Sequence, residues 1–247
     1  NGSGAGAYVN ITNLNPAGWL GSGWQFRKKI NINNASYAEN LVNFPLLLQF
    51  SAANFDFTDA QTDADDLRFT DTDGTTLLDF EIQSWDSGAQ TGLVWVRVPQ
   101  IDASTNDDYI YVYYGNAGST AAENPAGVWG DYRLALHLDE SPAAASPQFT
   151  DLTGNGNNGV SGSTLNGANA VTGKIGNGVS FDNSPSDTIT VNNSTSLFVN
   201  TSVTVSYWMR LETTETQGVV FIRSSGTNTN YGMGLDVNGS TEGLSFG

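Results

Sequence analysis

From Trp24 onward the chain alternates apolar and polar positions in short runs, with no sustained helical period. Phe26–Ile32, Asn43–Phe50, Asp66–Asp71, Thr75–Trp85, Gly92–Ile101 and Asp108–Gly115 are each rich in β-branched and aromatic residues. Turn signals separate them, among them Asp73-Gly74, Ser87-Gly88 and Asn106-Asp107. The alternation is sharpest in Leu93–Val98 and Tyr109–Tyr113. A second set follows: Tyr132–Glu140, Gly159–Leu165, Gly173–Asp182, Asp187–Asn193, Ser202–Glu212, Gly218–Ser225, Tyr231–Gly239 and Leu244–Gly247. Within it, Val203–Met209 alternates most cleanly and is the strongest strand of that half. Many short strands without intervening helices predict an all-β protein of two β-sandwich, jelly-roll-like domains, the second incomplete. The helical candidates are small, a short helix near Ser119–Ala122 or a turn around Ala52–Phe57.

Punctuation by Gly, Pro and Asn divides the chain. Residues 1–23 are Gly-, Asn- and Ala-rich and read as an arm or leader. Residues 24–120 form the first sandwich. Residues 121–131 carry a proline and two glycines without a period and read as a linker, and residues 132–247 form the second domain. The Gly/Asn-dense stretches between 151 and 178 must be loops.

Composition narrows the chemistry. The 247 residues are 38% hydrophobic and only 14% charged, enough apolar material for a real core. Nine basic against 25 acidic residues give a net charge of −16, which repels phosphate backbones and argues against nucleic-acid partners. The absence of cysteine excludes disulfides, thiolate–zinc sites and thiol nucleophiles, and the single histidine, His137, excludes multi-His metal centres. No apolar run approaches the ~18 residues that would span a membrane. Seven Asn-x-Ser/Thr sequons, at Asn1, Asn10, Asn34, Asn192, Asn193, Asn200 and Asn238, are close to what so much Asn, Ser and Thr produces by chance.

Two resemblances cover most of the chain. Trp24-Gln25-Phe26-Arg27-Lys28-Lys29-Ile30, Phe44-Pro45, Asp66–Asp71 with Asp73-Gly74, Glu81 with Trp85, Trp95–Pro99 and Tyr113–Asn116 occur in order. This half resembles an uncharacterised family of extracellular β-sandwich domains of prokaryotic surface proteins, which implies architecture and location but no chemistry. The second half resembles a concanavalin A-like, laminin-G-like jelly roll. That likeness rests on Leu136–Glu140, Asp151–Gly159, Gly173–Asp182 and Val203–Met209. It implies binding of carbohydrate or protein, often with calcium. The chain stops at Gly247, before further strands that such a jelly roll carries.

Candidate chemistry is sparse. Asp79 and Glu81, at i and i+2 of a strand, share a face as glycosidase acids do, but Gln83 stands where a third acid is expected; pairing of Glu81 with Arg97 or Arg68 is the structural alternative. Calcium wants loop oxygens, and Asp151, Asn155 and Asn157 among glycines, joined by Asp182, meet that demand; turn capping is the alternative for Asp151. Asp59, Asp63, Asp65, Asp66, Asp71 and Asp73 form an acidic cluster whose Asp73-Gly74 pair is itself a hairpin signal. His137 has no nucleophile partner, and the basic run Arg27–Lys29 is expected to pair with acids. For sugar stacking, Trp19, Trp129, Tyr231 and Trp24 fall outside the core patterns, whereas Trp85, Trp95 and Trp208 belong to the core. The expectation is a non-catalytic extracellular module that binds a glycan or a protein partner. The alternative is a structural subunit of an extracellular filament, in which residues 1–20 donate a strand to the unfinished jelly roll of the next copy. A polysaccharide-active enzyme is the least supported.

Overall fold

A computed structural model describes residues 18–181, 187–198, 202–210, 217–221, 234–237 and 244–246. The chain separates into two compact units, 1–132 and 133–247. Both are built from antiparallel sheets, so the protein is all-β, and its one α-helix among the described residues is a single turn.

The first unit is a sandwich of two sheets. One sheet orders β1 (Phe26–Asn31), β7 (Tyr109–Tyr114), β3 (Arg68–Thr70) and β4 (Leu77–Leu78). The other orders β2 (Leu41–Ser51), β6 (Thr91–Ile101) and β5 (Phe80–Asp86). Alternation in these strands is the reason. In β6, Val94, Val96 and Val98 point inward and are buried, while Leu93, Trp95 and Arg97 face out. They meet Phe69, Ile110 and Val112 from the other sheet in one continuous core, with Phe69 and Phe80 rings 5.2 Å apart. Phe50, Phe55, Phe57 and Trp85 close one part of this core in edge-on and tilted ring contacts of 4.6–5.7 Å.

Polar side chains fix the loops. Asp66, 1% exposed, accepts from the backbone N–H groups of Gln61, Gly115 and Asn116 and so ties the loop before β3 to the end of β7. Asp73 turns the chain between β3 and β4 by accepting from the backbone N–H of Thr75 and Thr76 and from the Thr76 hydroxyl. Gly74 follows at φ +74°, and a Cβ there would sit 1.9 Å from the Gly18 carbonyl oxygen, so only glycine fits. The acidic cluster of the sequence is in good part this loop chemistry.

Residues 121–131, read from the sequence as a linker, pack onto the first unit. Asn124 donates its backbone N–H to Phe80 O, and the Glu123 carboxylate accepts the Ile82 N–H, so both cover the free edge of β5. Helix α1 (Pro125–Val128) then follows, capped by Asn124, with Val128 buried. The short helix thus falls a few residues beyond Ser119–Ala122. Asn-Pro supplies both a cap and a first-turn proline there. The turn near Ala52–Phe57 becomes a 3-10 turn at Phe57–Asp59.

The second unit has shorter ladders. β8 (Gly159–Ser161) pairs with β11 (Ile189–Val191), and β9 (Ala170–Thr172) with β10 (Asn177–Val179). β12 (Gln217–Phe221), β13 (Gly234–Val237) and β14 (Leu244–Phe246) form a three-stranded sheet. Two expected strands are not found. Residues 134–139, with Leu138 at φ +59°, run without regular structure. Residues 202–210 are likewise irregular and exposed, and Trp208, expected in the core, is 72% exposed. Alternation is necessary for a half-buried strand but does not supply the hydrogen-bonding neighbour that a strand needs.

Candidate functional site

Three constellations carry the polar chemistry. The first lies on the outer face of β5 and β6. Glu81 stands beside Trp95 in the ladder, is 5% exposed, and accepts the indole N–H of Trp129 at 2.6 Å. Trp129 is itself buried, edge-on to Trp95 at 5.1 Å and to Tyr132 at 5.3 Å. A ring enclosed in this way offers no face to a sugar, so Trp129 is a packing residue and not a stacking platform. Asp79, the other acid of the proposed pair, accepts from the Asn124 amide at 2.7 Å. Arg97 pairs with Asp131 at 2.8 Å, not with Glu81, and Arg68 donates to Asp65 O, Leu67 O, Thr120 O and the Ser119 hydroxyl. Desolvation against β5, with Glu81 and Asp65 adding negative field, raises the Glu123 carboxyl above its ordinary pKa.

The second lies on the outer face of the β1–β7–β3 sheet. Register places Arg27 beside Tyr113 and Lys29 beside Tyr111. The Arg27 guanidinium sits 4.1 Å from the Tyr111 ring centre and 4.9 Å from that of Trp19, and donates to Gly18 O and the Tyr113 hydroxyl. Lys29 Nζ sits 3.8 Å over Tyr109. The basic run is therefore satisfied by rings and carbonyls in place of the expected acids. Trp19 belongs to this stack. It is half-buried, edge-on to Tyr113 at 5.3 Å, and its indole N–H donates to Trp24 O.

The third constellation is in the second unit. It gathers Asp151, Asn155 and Asn157, as the sequence suggested, but as a hydrogen-bonded turn. The Asp151 carboxylate accepts from the backbone N–H of Ala135, Thr153 and Asn157 and from the Thr153 hydroxyl. Asn157 donates its amide to Arg133 O and Ser196 Oγ and accepts from that hydroxyl. Asn155 also donates to Arg133 O. Both Asp151 oxygens accept hydrogen bonds from within the turn, which is the turn-capping alternative for this residue. Among the described residues no group of three or more His, Cys, Asp or Glu is placed to hold a metal. Asp182 and Tyr231 lie outside the described residues.

Beside this turn opens a groove of about 400 Å³, lined by Ser146, Pro147, residues 155–158, Val160, Asn192, Asn193 and Ser194. Among the described residues no charged side chain lines it. Sequence reading missed it because its two walls lie more than thirty positions apart. In the sequence, Asn192 and Asn193 stand at the end of an expected strand and in overlapping sequons, neither of which points to a groove.

These features define an all-β chain whose polar side chains are mostly spent on loops. Residues 63–150 are similar to a family described as Domain of unknown function (DUF2341), a stretch that runs from the loop before β3 through α1 and past the boundary between the units. No curated protein and no solved structure matches the chain. Among the described residues no helix is long and apolar enough to cross a membrane.

Proposed function

We propose that the chain is a non-catalytic binding module of a secreted or cell-surface protein, the first unit an extracellular β-sandwich and the second a concanavalin A-like or laminin-G-like jelly roll. Its ligand is a glycan or a neighbouring protein subunit. The observation that carries this reading is the uncharged, amide-lined groove, whose size lies in the ~300–1,000 Å³ range of small-ligand sites. The acids with any claim to catalysis support it, since Glu81 and Asp79 are hydrogen-bonded to Trp129 and Asn124. The test is retention of the whole chain on immobilised polysaccharides, with reducing ends assayed in parallel. Retention without release of sugar is expected. Release of sugar that Glu81→Gln abolishes would replace the reading with an enzyme.

A second reading, assembly into an extracellular filament, is favoured by residues 202–210. Val203, Val205, Tyr207 and Met209 alternate at strand period and are exposed, and this segment joins no sheet among the described residues. Electron microscopy and light scattering test it. Regular fibres or concentration-dependent oligomers, lost in Val205→Asp, are the expected result, and a monomer at all concentrations opposes it.

A further inference from the structure

We infer that the groove of the second unit is a binding site for a neutral saccharide, and that the Asp151 network exists to hold its shape. This rests on the binding-module reading and narrows it to one place and one ligand chemistry.

The lining excludes the charged alternatives. The chain carries 25 acidic residues and a net charge of −16, yet among the described residues no carboxylate and no cation lines this space. An anionic ligand would find no countercharge here and would be repelled by the molecule at large, while a metal ion would find amide oxygens without a carboxylate. A carboxamide presents a donor and an acceptor side by side, which suits a pair of neighbouring sugar hydroxyls, since each hydroxyl both donates and accepts. Pro147 and Val160 supply the apolar surface against which the C–H face of a pyranose packs.

The two walls differ in a way that fits a preformed site. One is immobilised: Asp151 accepts the Asn157 N–H, Asn158 accepts the Asp151 N–H, and Asn157 reaches Ser196 beyond the opposite wall. The other is available: the side chains of Asn192 and Asn193 are exposed and have no hydrogen-bond partner among the described residues. Ser194 caps the short 3-10 turn Thr195–Leu197, and its hydroxyl lies 2.5 Å from that of Ser196, so the free amides stand on a tethered base. A rigid frame with uncommitted amides lowers the ordering cost of binding.

The experiment uses the full chain on immobilised β-glucan, mannan and xylan, with polygalacturonate as the anionic comparator. The double variant Asn192→Asp/Asn193→Asp removes two donors and places charge in the groove, while Asn106→Asp, in an exposed turn of the first unit, is the control. We expect retention on at least one neutral polysaccharide, a loss of affinity of roughly tenfold or more in the double variant, and none in the control. Equal affinity in the double variant overturns the groove while leaving a binding module intact. Preference for polygalacturonate overturns the neutral class. Retention on no polysaccharide overturns both the groove and the glycan form of the reading above. A hexosamine found by intact mass on Asn192 or Asn193 of the native protein overturns the groove as an open site.

Discussion

The two units use the same kind of strand in opposite ways. In the first, two continuous sheets bury sixteen apolar residues in one cluster, and polar groups such as Asp66 and Glu81 pin loops around it. In the second, the buried residues include Asp151, Thr153, Asn157 and Asn169, and Phe149 and Leu165 are its only buried large apolar side chains among those described. Among the described residues, the first is held by area removed from water, the second by hydrogen bonds within and between loops. A hydrophobic core tolerates the loss of one surface contact; a loop network does not, because each deleted acceptor strands several donors.

Breaking the first unit at its centre has the largest expected effect. Phe69→Ala removes a fully buried ring and should cost about 3–5 kcal/mol by urea unfolding, leaving amide signals of the second unit in place. The matching lesion in the second unit is Asp151→Ala, which leaves the N–H groups of Ala135, Thr153 and Asn157 without their acceptor. It should cost about 2–3 kcal/mol and speed hydrogen exchange at Thr153 and Asn157, while the first unit is unmoved. If Asp151→Ala destabilised both units equally, the division of labour would be wrong. Next comes Trp129→Phe, which keeps most of the bulk beside Trp95 and deletes the donor to Glu81. About 1–2 kcal/mol is expected, confined to the first unit.

Smaller and of opposite sign are two pH effects in the first unit. Hydrogen bonds from the Thr76 hydroxyl and from the Thr75 and Thr76 N–H groups lower the Asp73 carboxyl to about 2 from 3.8. Its contribution is therefore present above pH 3.8 and lost as pH falls through about 2. Glu123 is raised by desolvation, so its contribution is present below its ordinary value of 4.5 and lost as pH rises through the raised one. Carbon-13 titration of the two carboxyls checks both; midpoints in the reverse order would show the β5 edge cover to be misread. The smallest effect expected is that of calcium: added ion or chelator should leave the melting of the second unit unchanged, and a clear shift would make Asp151 a calcium ligand.

Legibility followed the same division. Alternation in Leu93–Val98 and Tyr109–Tyr113 marks two real strands and Asp73-Gly74 a real turn, because these signals are local, but which face is buried is not: Trp95, expected in the core, lies on the outer face while Val94, Val96 and Val98 fill the inside. The same alternation misled at Val203–Met209, where no partner strand is found among the described residues. Trp129 falls outside the core patterns of the sequence, yet it is buried. Nothing near it in sequence announces Glu81, forty-eight positions away. For Asp151 the sequence offers a calcium ligand or a turn cap, and the partners that distinguish them, the N–H groups of Ala135 and Asn157, come from segments six to sixteen positions away.

Composition and period by themselves determined the class: a cysteine-free, acidic, sheet-built chain whose strands are punctuated by Asn, Asp and Gly. Only the tertiary structure decided which polar groups are spent and which remain free. The reason is physical: a side chain's availability depends on donors and acceptors brought to it from distant segments. Arg133 and Ser196 close on Asn157, and Trp129 closes on Glu81, only once the chain has folded.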